Sequence, residues 1–418
     1  MTGAATVEED SIREHKGLVP ASAALMVAGF LTTFLSPLLA TSFAKEFDFG
    51  IEQAGLLVAL GTAGVAASAL GILPFIDNLD RRLLGVVGVL IAASGMTLTG
   101  FADDFAVVLV LQIIVGLGAG LAYAAANSAL AYSRLPERAF SIVTISWLIV
   151  GAAMLSLGPL LHSVWPKAGI YLAIAVAELL CLFLIVRLPD VRTFAKDNET
   201  NEELAAEIEP AALPEAEGSK LGSRRAALLL VAAVLIMNIG NLVIWTYAED
   251  IGERAGLSPQ AAATFLGVSQ LVGLLGAGIT LLIGERVGKM VIFAPAVILL
   301  ALGNLLVGTA ANPTMFIVGF LLINITFFCL SPLLLALAAE LDSNSGRLVV
   351  IVGAATLIAG AIAPAIGGVI AGSDEVWSRL GYMAFALALV SLPILIIPVR
   401  SAKQRRRLEA ALIADHRV

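Results

Sequence analysis

The sequence predicts an all-α membrane protein with twelve transmembrane helices in two six-helix repeats. Three observations lead to this prediction: the composition, the length of the apolar segments and the placement of the basic residues. Apolar residues make up 59% of the 418 residues and charged residues 14%, whereas a typical soluble domain carries roughly 25% charged residues. The apolar residues form segments of about 20, the length that a helix needs to cross roughly 30 Å of hydrocarbon. These segments must be helical, because lipid offers no hydrogen-bond partner to a free backbone group.

Twelve apolar segments alternate with charged or turn-forming residues. Their approximate limits are 18–43, 53–76, 83–102, 105–131, 139–163, 168–186, 226–247, 260–284, 290–309, 314–339, 348–371 and 377–399. The N-terminus has neither the basic region nor the small-residue cleavage site of a removable signal peptide, so the first segment is expected to remain as a helix. Cys181 and Cys329 both lie inside apolar segments, where they are expected to act as small core residues.

The basic residues segregate to one predicted side of the membrane. If the N-terminus is cytoplasmic and the spans alternate, 21 of the 25 Lys and Arg residues lie on the cytoplasmic side. The opposite side holds Lys45, Lys167, Arg254 and Arg379. Cytoplasmic loops are enriched in Lys and Arg. The sequence therefore predicts a bacterial inner-membrane protein with both termini in the cytoplasm.

A long acidic segment divides the chain. Residues 188–224 contain nine Asp and Glu residues and few residues that bury apolar area, which is typical of a flexible charged linker. The predicted organisation is an N-terminal six-helix bundle at 1–187, a cytoplasmic linker at 188–224, a C-terminal six-helix bundle at 225–399 and a basic cytoplasmic tail at 400–418.

Landmarks in the two halves recur at a similar spacing. Pro159 in span five and Pro364 in span eleven lie 205 residues apart. Acidic loops after spans two and eight begin at Asp77 and Glu285, 208 residues apart. Duplicated six-helix units are a recurrent plan among transporters.

The two acidic loops carry the clearest motif. They read DNLDRR at Asp77–Arg82 and ERVGK at Glu285–Lys289, and they resemble the acid–base–any–Gly–base–base loop of the major facilitator superfamily. The Gly116-Leu117-Gly118 sequence resembles the span-four glycines of that family, with Gln112 in place of its arginine. Gly158-Pro159 resembles part of an antiporter motif, with His162 and Ser163 where two glycines are usual. The resemblance covers nearly the whole chain.

This resemblance implies a secondary transporter whose two bundles rock around a central cavity, driven by an ion gradient, most often of protons. It also implies a cytoplasmic gate, in which acid–base contacts form in one conformation and break in another. The gate residues implied are Asp77, Arg81, Arg82, Glu285, Arg286 and Lys289. The alternative is that these Lys and Arg residues only set the topology.

Span four carries a polar and small-residue stripe. Its members are Gln112, Gly116, Gly120, Tyr123 and Asn127. At about 100° per residue they fall within roughly an 80° sector of a helix. One hypothesis makes this stripe a cavity wall, with Gln112, Tyr123 and Asn127 contacting substrate. The other makes it a surface for close helix packing, with the amides as interhelical links.

Span seven offers a second polar face. Asn238, Asn241 and Trp245 are spaced by three and four residues, and Gly240 beside them would permit a local break in the helix. An indole beside amides suits a neutral or aromatic solute, although a Trp near a span end is also typical of interfacial anchoring. The same reasoning selects four further substrate-binding candidates: Thr33, Ser36, Gln270 and Asn324.

Two acidic residues are candidates for proton coupling. Glu178 lies well inside span six, and a carboxylate in hydrocarbon should be protonated or paired. The alternative is a protonated glutamate with no role in transport, since the resemblance places span six at the periphery. Asp250 lies at the outer end of span seven, where the cavity mouth is expected.

The predicted function is transport of a small neutral or weakly acidic organic solute by a monomer without cofactors. No Lys or Arg lies at the predicted middle of the membrane, so a phosphate or dicarboxylate substrate lacks an obvious countercharge. The sequence has no phosphate-binding Gly-Lys-Ser/Thr loop, no metal-ligand spacing and no catalytic cluster. The alternatives are a facilitative uniporter and a non-transporting solute receptor on the same scaffold, and an enzyme is not expected.

Overall fold

The computed structural model describes residues 2–47, 49–131, 136–188, 217–283, 289–341, 347–372 and 376–415. Within these ranges the chain forms fourteen α-helices and one short 3-10 helix, and it contains no strand. The chain divides into two compact units, Met1–Ala212 and Leu213–Val418. The all-α prediction is confirmed.

The N-terminal unit contains seven of the helices. They are α1 (Thr2–Phe34), α2 (Ser36–Glu46), α3 (Ile51–Ile72), α4 (Arg81–Thr99), α5 (Phe105–Ala131), α6 (Pro136–Val164) and α7 (Gly169–Ile185). The 3-10 helix, Leu73–Asn78, joins α3 to α4. The predicted first span includes residues of both α1 and α2, the second includes α3 and the start of the 3-10 helix, and each later span of this half corresponds to a single helix.

The C-terminal unit contains the other seven. They are α8 (Glu217–Thr246), α9 (Ala248–Arg254), α10 (Pro259–Ile283), α11 (Lys289–Gly308), α12 (Pro313–Leu341), α13 (Arg347–Ala371) and α14 (Ser378–Asp415). Across the described part of the chain, 10 helices are long and apolar enough to cross a membrane. Together with the shorter apolar α7 and the 25-residue α10 they correspond to the twelve predicted spans.

The two units repeat one pattern of helix packing. In the N-terminal unit α5 packs against α3 and α4, α7 packs against α1 and α4, and α6 packs against α1. In the C-terminal unit α12 packs against α10 and α11, α14 packs against α8 and α11, and α13 packs against α8. Each pair in one unit has its counterpart in the other, so the prediction of two six-helix repeats is confirmed.

Small residues form the centre of the N-terminal unit. Leu25 of α1, Ala122 and Ala125 of α5 and Ile185 of α7 belong to one buried cluster and are all 0% exposed. Gly116 of α5 lies so close to α3 that an added Cβ would stand 2.0 Å from the carbonyl oxygen of Gly61. Helices in lipid gain no hydrophobic energy by associating, so close backbone packing between small residues must hold them together.

Replacing Gly116 with alanine is expected to lower the melting temperature of the purified protein markedly. The new methyl group would overlap the Gly61 carbonyl, and overpacking of this kind costs about 1–3 kcal/mol. The matched control is Gly71→Ala in α3, where an added Cβ meets nothing within 4 Å. Equal melting temperatures for the two variants in a thermal-unfolding assay would show that α3 and α5 do not pack as closely as described.

The first helix of each repeat is broken near the same end. Between α1 and α2 the break lies at Leu35, because Pro37 has no N–H to donate to the carbonyl of Thr33. Between α8 and α9 it lies at Tyr247, whose hydroxyl donates to the carbonyl oxygen of Pro364 at 2.7 Å. The two breaks are 212 residues apart, close to the spacing of the other repeated landmarks.

The hypothesis of a break at Gly240 is wrong. The helix α8 runs without interruption from Glu217 to Thr246. A Cβ at Gly240 would lie 3.1 Å from the Cα of Ala384 in α14. This glycine therefore permits two helices of the same unit to approach closely, and the helix ends six residues later, at Thr246, instead.

Candidate functional site

Four aromatic side chains from three helices meet in the N-terminal unit. Phe30 and Phe34 of α1, Tyr123 of α5 and Trp147 of α6 form this group, which we call the N-terminal aromatic cluster. The ring of Phe30 lies 4.9 Å from Trp147 and 6.1 Å from Tyr123, and Phe34 lies 5.1 Å from Trp147, centroid to centroid. Such separations are favourable for aromatic pairs. Tyr123 and Trp147 remain half-buried, so the cluster presents ring surface for a further molecule.

Polar groups lie beside this cluster. Asn127, one turn beyond Tyr123, is half-buried and donates from its amide to the carbonyl oxygen of Tyr123 at 2.8 Å. Thr33 and Ser36 flank the helix break at Leu35. The hydroxyl of Thr33 is buried and has no hydrogen-bond partner among the described residues. The break therefore places polar groups next to the rings, as discontinuous helices do in many transporters.

The other end of the span-four stripe serves helix packing. Gly116 lies against the backbone of α3, and a Cβ at Gly120 would stand 2.0 Å from the hydroxyl of Ser68. Gln112 is buried and donates from Nε2 to the hydroxyl of Thr99 in α4 at 3.1 Å. The stripe thus divides into a packing end with Gln112 and a half-buried end with Tyr123 and Asn127.

The C-terminal unit holds a comparable group of rings. Trp245 of α8, Phe265 of α10 and Phe316 and Phe320 of α12 form what we call the C-terminal aromatic cluster. The ring of Phe320 lies 6.4 Å from both Trp245 and Phe265, and 4.9 Å from Phe316. Trp245 and Phe265 are half-buried, whereas the two rings of α12 are buried.

Amide side chains accompany the second cluster as well. Asn324 of α12 donates to the hydroxyl of Ser269 in α10 at 3.0 Å, and Gln270 is buried beside Ser269 in sequence. Asn238 and Asn241 of α8 are buried, and their carbonyl oxygens have no hydrogen-bond partner among the described residues. A buried acceptor without a partner is costly, so these two oxygens are suited to receive a donor from a ligand.

The two proton-coupling candidates differ in their surroundings. Glu178 of α7 is 0% exposed, and neither of its carboxylate oxygens has a hydrogen-bond partner among the described residues. Asp250 of α9 is half-buried near the end of the first span of its repeat. An isolated carboxylate charge in the position of Glu178 costs several kcal/mol, so this group is expected to be protonated or paired.

The first gate loop is partly described. Arg81 is buried at the first residue of α4, and its Nε donates to the hydroxyl of Ser128 in α5 at 2.6 Å. Asp80 caps α4 by accepting hydrogen bonds from the backbone N–H groups of Arg82 and Leu83. Arg82 itself is exposed.

The remaining gate residues lie outside the described side chains. These are Asp77, Glu285, Arg286 and Lys289.

Aromatic residues other than Tyr123 and Trp245 were not singled out from the sequence. The rings of Phe30, Phe34 and Trp147 belong to two helices of the N-terminal unit, and Phe265 and Phe320 belong to two helices of the C-terminal unit. The sequence of a single helix does not reveal such a cluster, because its members come from different helices and meet only after these helices pack. The sequence offers one weak signal for the first cluster: Trp is rare in this chain, and Trp147 lies inside a predicted span.

Comparison with protein families gives one match over most of the chain. The sequence profile of the Major Facilitator Superfamily matches residues 21–343. No curated protein matches the sequence.

Solved transporter structures resemble the fold at low sequence identity. A D-xylose-proton symporter superposes with a TM-score of 0.69 and 14% identity, covering 90% of this chain and 96% of that one. A peptide transporter, POT, in complex with sulfate gives 0.69 and 16%, with 93% and 95% coverage. The nucleoside transporter NupG gives 0.68 and 12%, with 91% and 99% coverage.

Proposed function

The chain belongs to the Major Facilitator Superfamily, and on that basis we propose that it is a secondary active transporter of a small organic solute, driven by protons and working by alternating access. Membership of a transporter family and a transporter fold support transport as the general activity. Two of the similar structures are a proton symporter and a nucleoside transporter by name. The observation that carries the proposal is the family match together with a cluster of rings and amides in each repeat.

The chemistry of the two clusters favours a neutral or weakly acidic solute with an aromatic or other flat apolar part. Half-buried rings provide stacking surface, and Asn127, Asn238 and Asn241 provide amides for hydrogen bonds. Neither cluster, as defined above, includes a Lys or Arg, which a phosphate or dicarboxylate would require. We propose Tyr123, Asn127, Asn238, Asn241, Trp245, Gln270, Asn324, Thr33 and Ser36 as substrate-binding residues, and we infer that Gln112 acts in packing.

We propose that the charged loops control the change of conformation. We also propose that two acidic residues, Glu178 and Asp250, couple transport to protons. On the basis of the family match we propose Asp77, Arg81, Arg82, Glu285, Arg286 and Lys289 as gate residues at the cytoplasmic ends of the spans. The bond from Arg81 to Ser128 joins α4 and α5 within the N-terminal unit. Contacts of this kind bias a two-state equilibrium only if they differ between the states. Glu178 and Asp250 are the proposed sites where protons bind during the cycle. The protein is proposed to be a monomer in a bacterial inner membrane, with both termini cytoplasmic.

Purified protein screened against pools of small molecules across pH tests the substrate-binding proposal. A ligand present at 100 times its Kd should stabilise the protein by about 2.7 kcal/mol, which a thermal-shift assay detects. Asn241→Ala is expected to abolish the shift, because it removes the buried acceptor that is left without a partner. The control Gln404→Ala changes an exposed amide and should retain the shift. If the ligand stabilises the Asn241→Ala variant as much as the parent protein, Asn241 is not part of the binding site.

Proteoliposomes separate the alternative functions. A coupled transporter concentrates the identified ligand when a proton gradient is imposed and stops when the gradient is collapsed. A facilitative uniporter equilibrates the ligand without concentrating it. A receptor binds the ligand and transports none, and that result would overturn the proposed function.

A further inference from the structure

A hydrogen-bonded pair of a glutamate and a histidine lies at one end of the N-terminal unit, at the opposite end of the spans from Arg81. Glu46 is the last residue of α2, and His162 lies near the end of α6. The Nδ1 atom of His162 lies 2.7 Å from Oε1 of Glu46. The side chain of Glu46 is only 3% exposed, whereas that of His162 is 50% exposed. One partner is therefore enclosed and the other faces solvent.

Aromatic rings pack together beside Glu46. Phe43 and Phe47, on either side of Glu46 in sequence, both pack against Tyr171 of α7, with centroids 5.7 and 5.8 Å apart. The second carboxylate oxygen, Oε2, is buried and has no hydrogen-bond partner among the described residues.

The charged and titratable groups around Glu46 come from three elements. They are His162 on α6, Lys167 in the turn after α6 and Tyr171 on α7. Lys167 forms an ion pair with the exposed Asp103 and has its Nζ 5.0 Å from the ring centroid of Phe47. Lys167 is thus already paired with Asp103, and His162 is the direct partner of the carboxylate.

This pair lies at the C-terminal end of a short helix that the break at Leu35 separates from α1. The helix α2 has 11 residues, from Ser36 to Glu46. A helix of this length depends on its contacts for stability. Its earlier residues are buried and pack against α3, and the bond from Glu46 to His162 connects its last residue to α6, so loss of that bond would weaken the attachment of this end.

Burial changes how tightly Glu46 binds a proton. Desolvation raises the pKa of Glu46, and the hydrogen bond from His162 and the positive charge of Lys167 offset this only in part. The enclosed arrangement binds a proton more tightly than a hydrated glutamate would.

We propose that Glu46 and His162 together bind one exchangeable proton, and that this proton holds α2 against α6. This site is additional to Glu178 and Asp250, the proton-binding residues proposed above. Its use in transport rests on the proposed function. With the proton bound, the pair has no net charge, which suits the burial of Glu46. Without the proton, Glu46 keeps a buried negative charge that its surroundings offset only in part, and hydration of that charge favours release of α2.

The half-exposed imidazole provides the path for the proton. Its Nε2 accepts a proton from water while its Nδ1 donates the proton that it carries to Oε1 of Glu46. The imidazole is neutral before and after this exchange, and Glu46 has gained one proton. The reverse sequence returns the proton to solvent.

The sign of the pH dependence follows from the direction of the pKa shift. The closed form, with a raised pKa at Glu46, binds more protons than the open form with a hydrated carboxylate. Low pH therefore favours the closed form, and raising the pH through the raised pKa of Glu46 opens it. A difference of one proton changes the ratio of open to closed forms by up to about tenfold per pH unit.

Thiol labelling of the full-length protein measures this opening without any substrate. Ser42, one turn before Glu46, is buried in α2. In a Cys181→Ser, Cys329→Ser background, the labelling rate of Ser42→Cys by a maleimide should rise with pH relative to that of Ser163→Cys. Ser163 is exposed, so its variant calibrates the intrinsic pH dependence of thiol reactivity. A constant ratio of the two rates between pH 5 and 9 would overturn the proposal.

Two variants assign the effect to the pair. Glu46→Gln resembles the protonated carboxyl group and is expected to keep the labelling ratio low at every pH. His162→Gln retains a hydrogen-bonding amide but cannot exchange protons, and it should shift the midpoint of the profile. If Glu46→Gln does not fold, an unchanged midpoint in His162→Gln contradicts the proposal by itself. A pH-dependent ratio in a protein that transports nothing would support the proton site and reject the transport function.

Discussion

Arg81→Ala is expected to reduce the initial rate of transport in proteoliposomes by roughly ten- to hundredfold. Arg81 is buried, and its guanidinium donates to Ser128 across the α4–α5 contact. A hydrogen bond from a charged group contributes about 1.5–3 kcal/mol, and each 1.4 kcal/mol changes an equilibrium tenfold. If the bond forms in one conformation only, its loss shifts the populations of the two conformations by that factor.

Another arginine of the same unit provides the matched control for Arg81. Arg187 has the same charge but is exposed and is not a proposed gate residue, so Arg187→Ala should transport at close to the parent rate. Arg81→Lys should remain impaired, because a lysine ammonium does not reproduce the planar guanidinium. Equal rates for Arg81→Ala and the parent, at equal amounts of folded protein, would indicate that Arg81 only sets the topology.

Trp245→Ala is expected to weaken binding of the identified ligand by roughly thirtyfold or more. The indole of Trp245 is half-buried and packs edge-on against Phe320 at 6.4 Å, so one part of the ring is supported and another remains open. Truncation of a Trp at the centre of a binding surface costs about 2–4 kcal/mol. The ligand-induced rise in melting temperature, measured as a function of ligand concentration, yields the change in Kd.

Two other substitutions separate binding from anchoring at the membrane interface. Trp245→Phe keeps an aromatic ring and should retain most of the affinity. Trp165→Ala removes an indole that is 55% exposed at the end of α6 and should leave the Kd unchanged. If Trp165→Ala and Trp245→Ala weaken binding equally, or neither does, Trp245 is not a substrate contact.

The polar members of the candidate sites were predictable because each helix carries its own periodicity. Asn238, Asn241 and Trp245 share one face of α8, and the structure places the amides inside the C-terminal unit. Span four shows the limit of that reasoning. Gln112 and Tyr123 share one stripe, yet Gln112 links α5 to α4 whereas Tyr123 joins Phe30. Periodicity identifies the residues of one face, but neighbouring helices decide which part of that face remains open.

The interaction of Glu46 with His162 was beyond sequence analysis. The two residues are 116 positions apart, and no pattern of charge or spacing relates them. His162 was noted only as a departure from a glycine-proline motif. Its proposed role depends on the packing that brings the end of α2 to His162 and on the burial of Glu46.

The amino-acid sequence by itself determined the all-α class, the twelve spans and the two repeats. Membrane thickness sets the length of an apolar helix, and the absence of backbone partners in lipid excludes other structures, so these features can be deduced from local composition. Tertiary structure alone decided which rings meet, that Gly240 packs while Leu35 and Tyr247 break their helices, and that Glu46 is enclosed. Those outcomes depend on contacts between helices far apart in the chain, where the fit of one surface to another, and not the residue type, sets the energy.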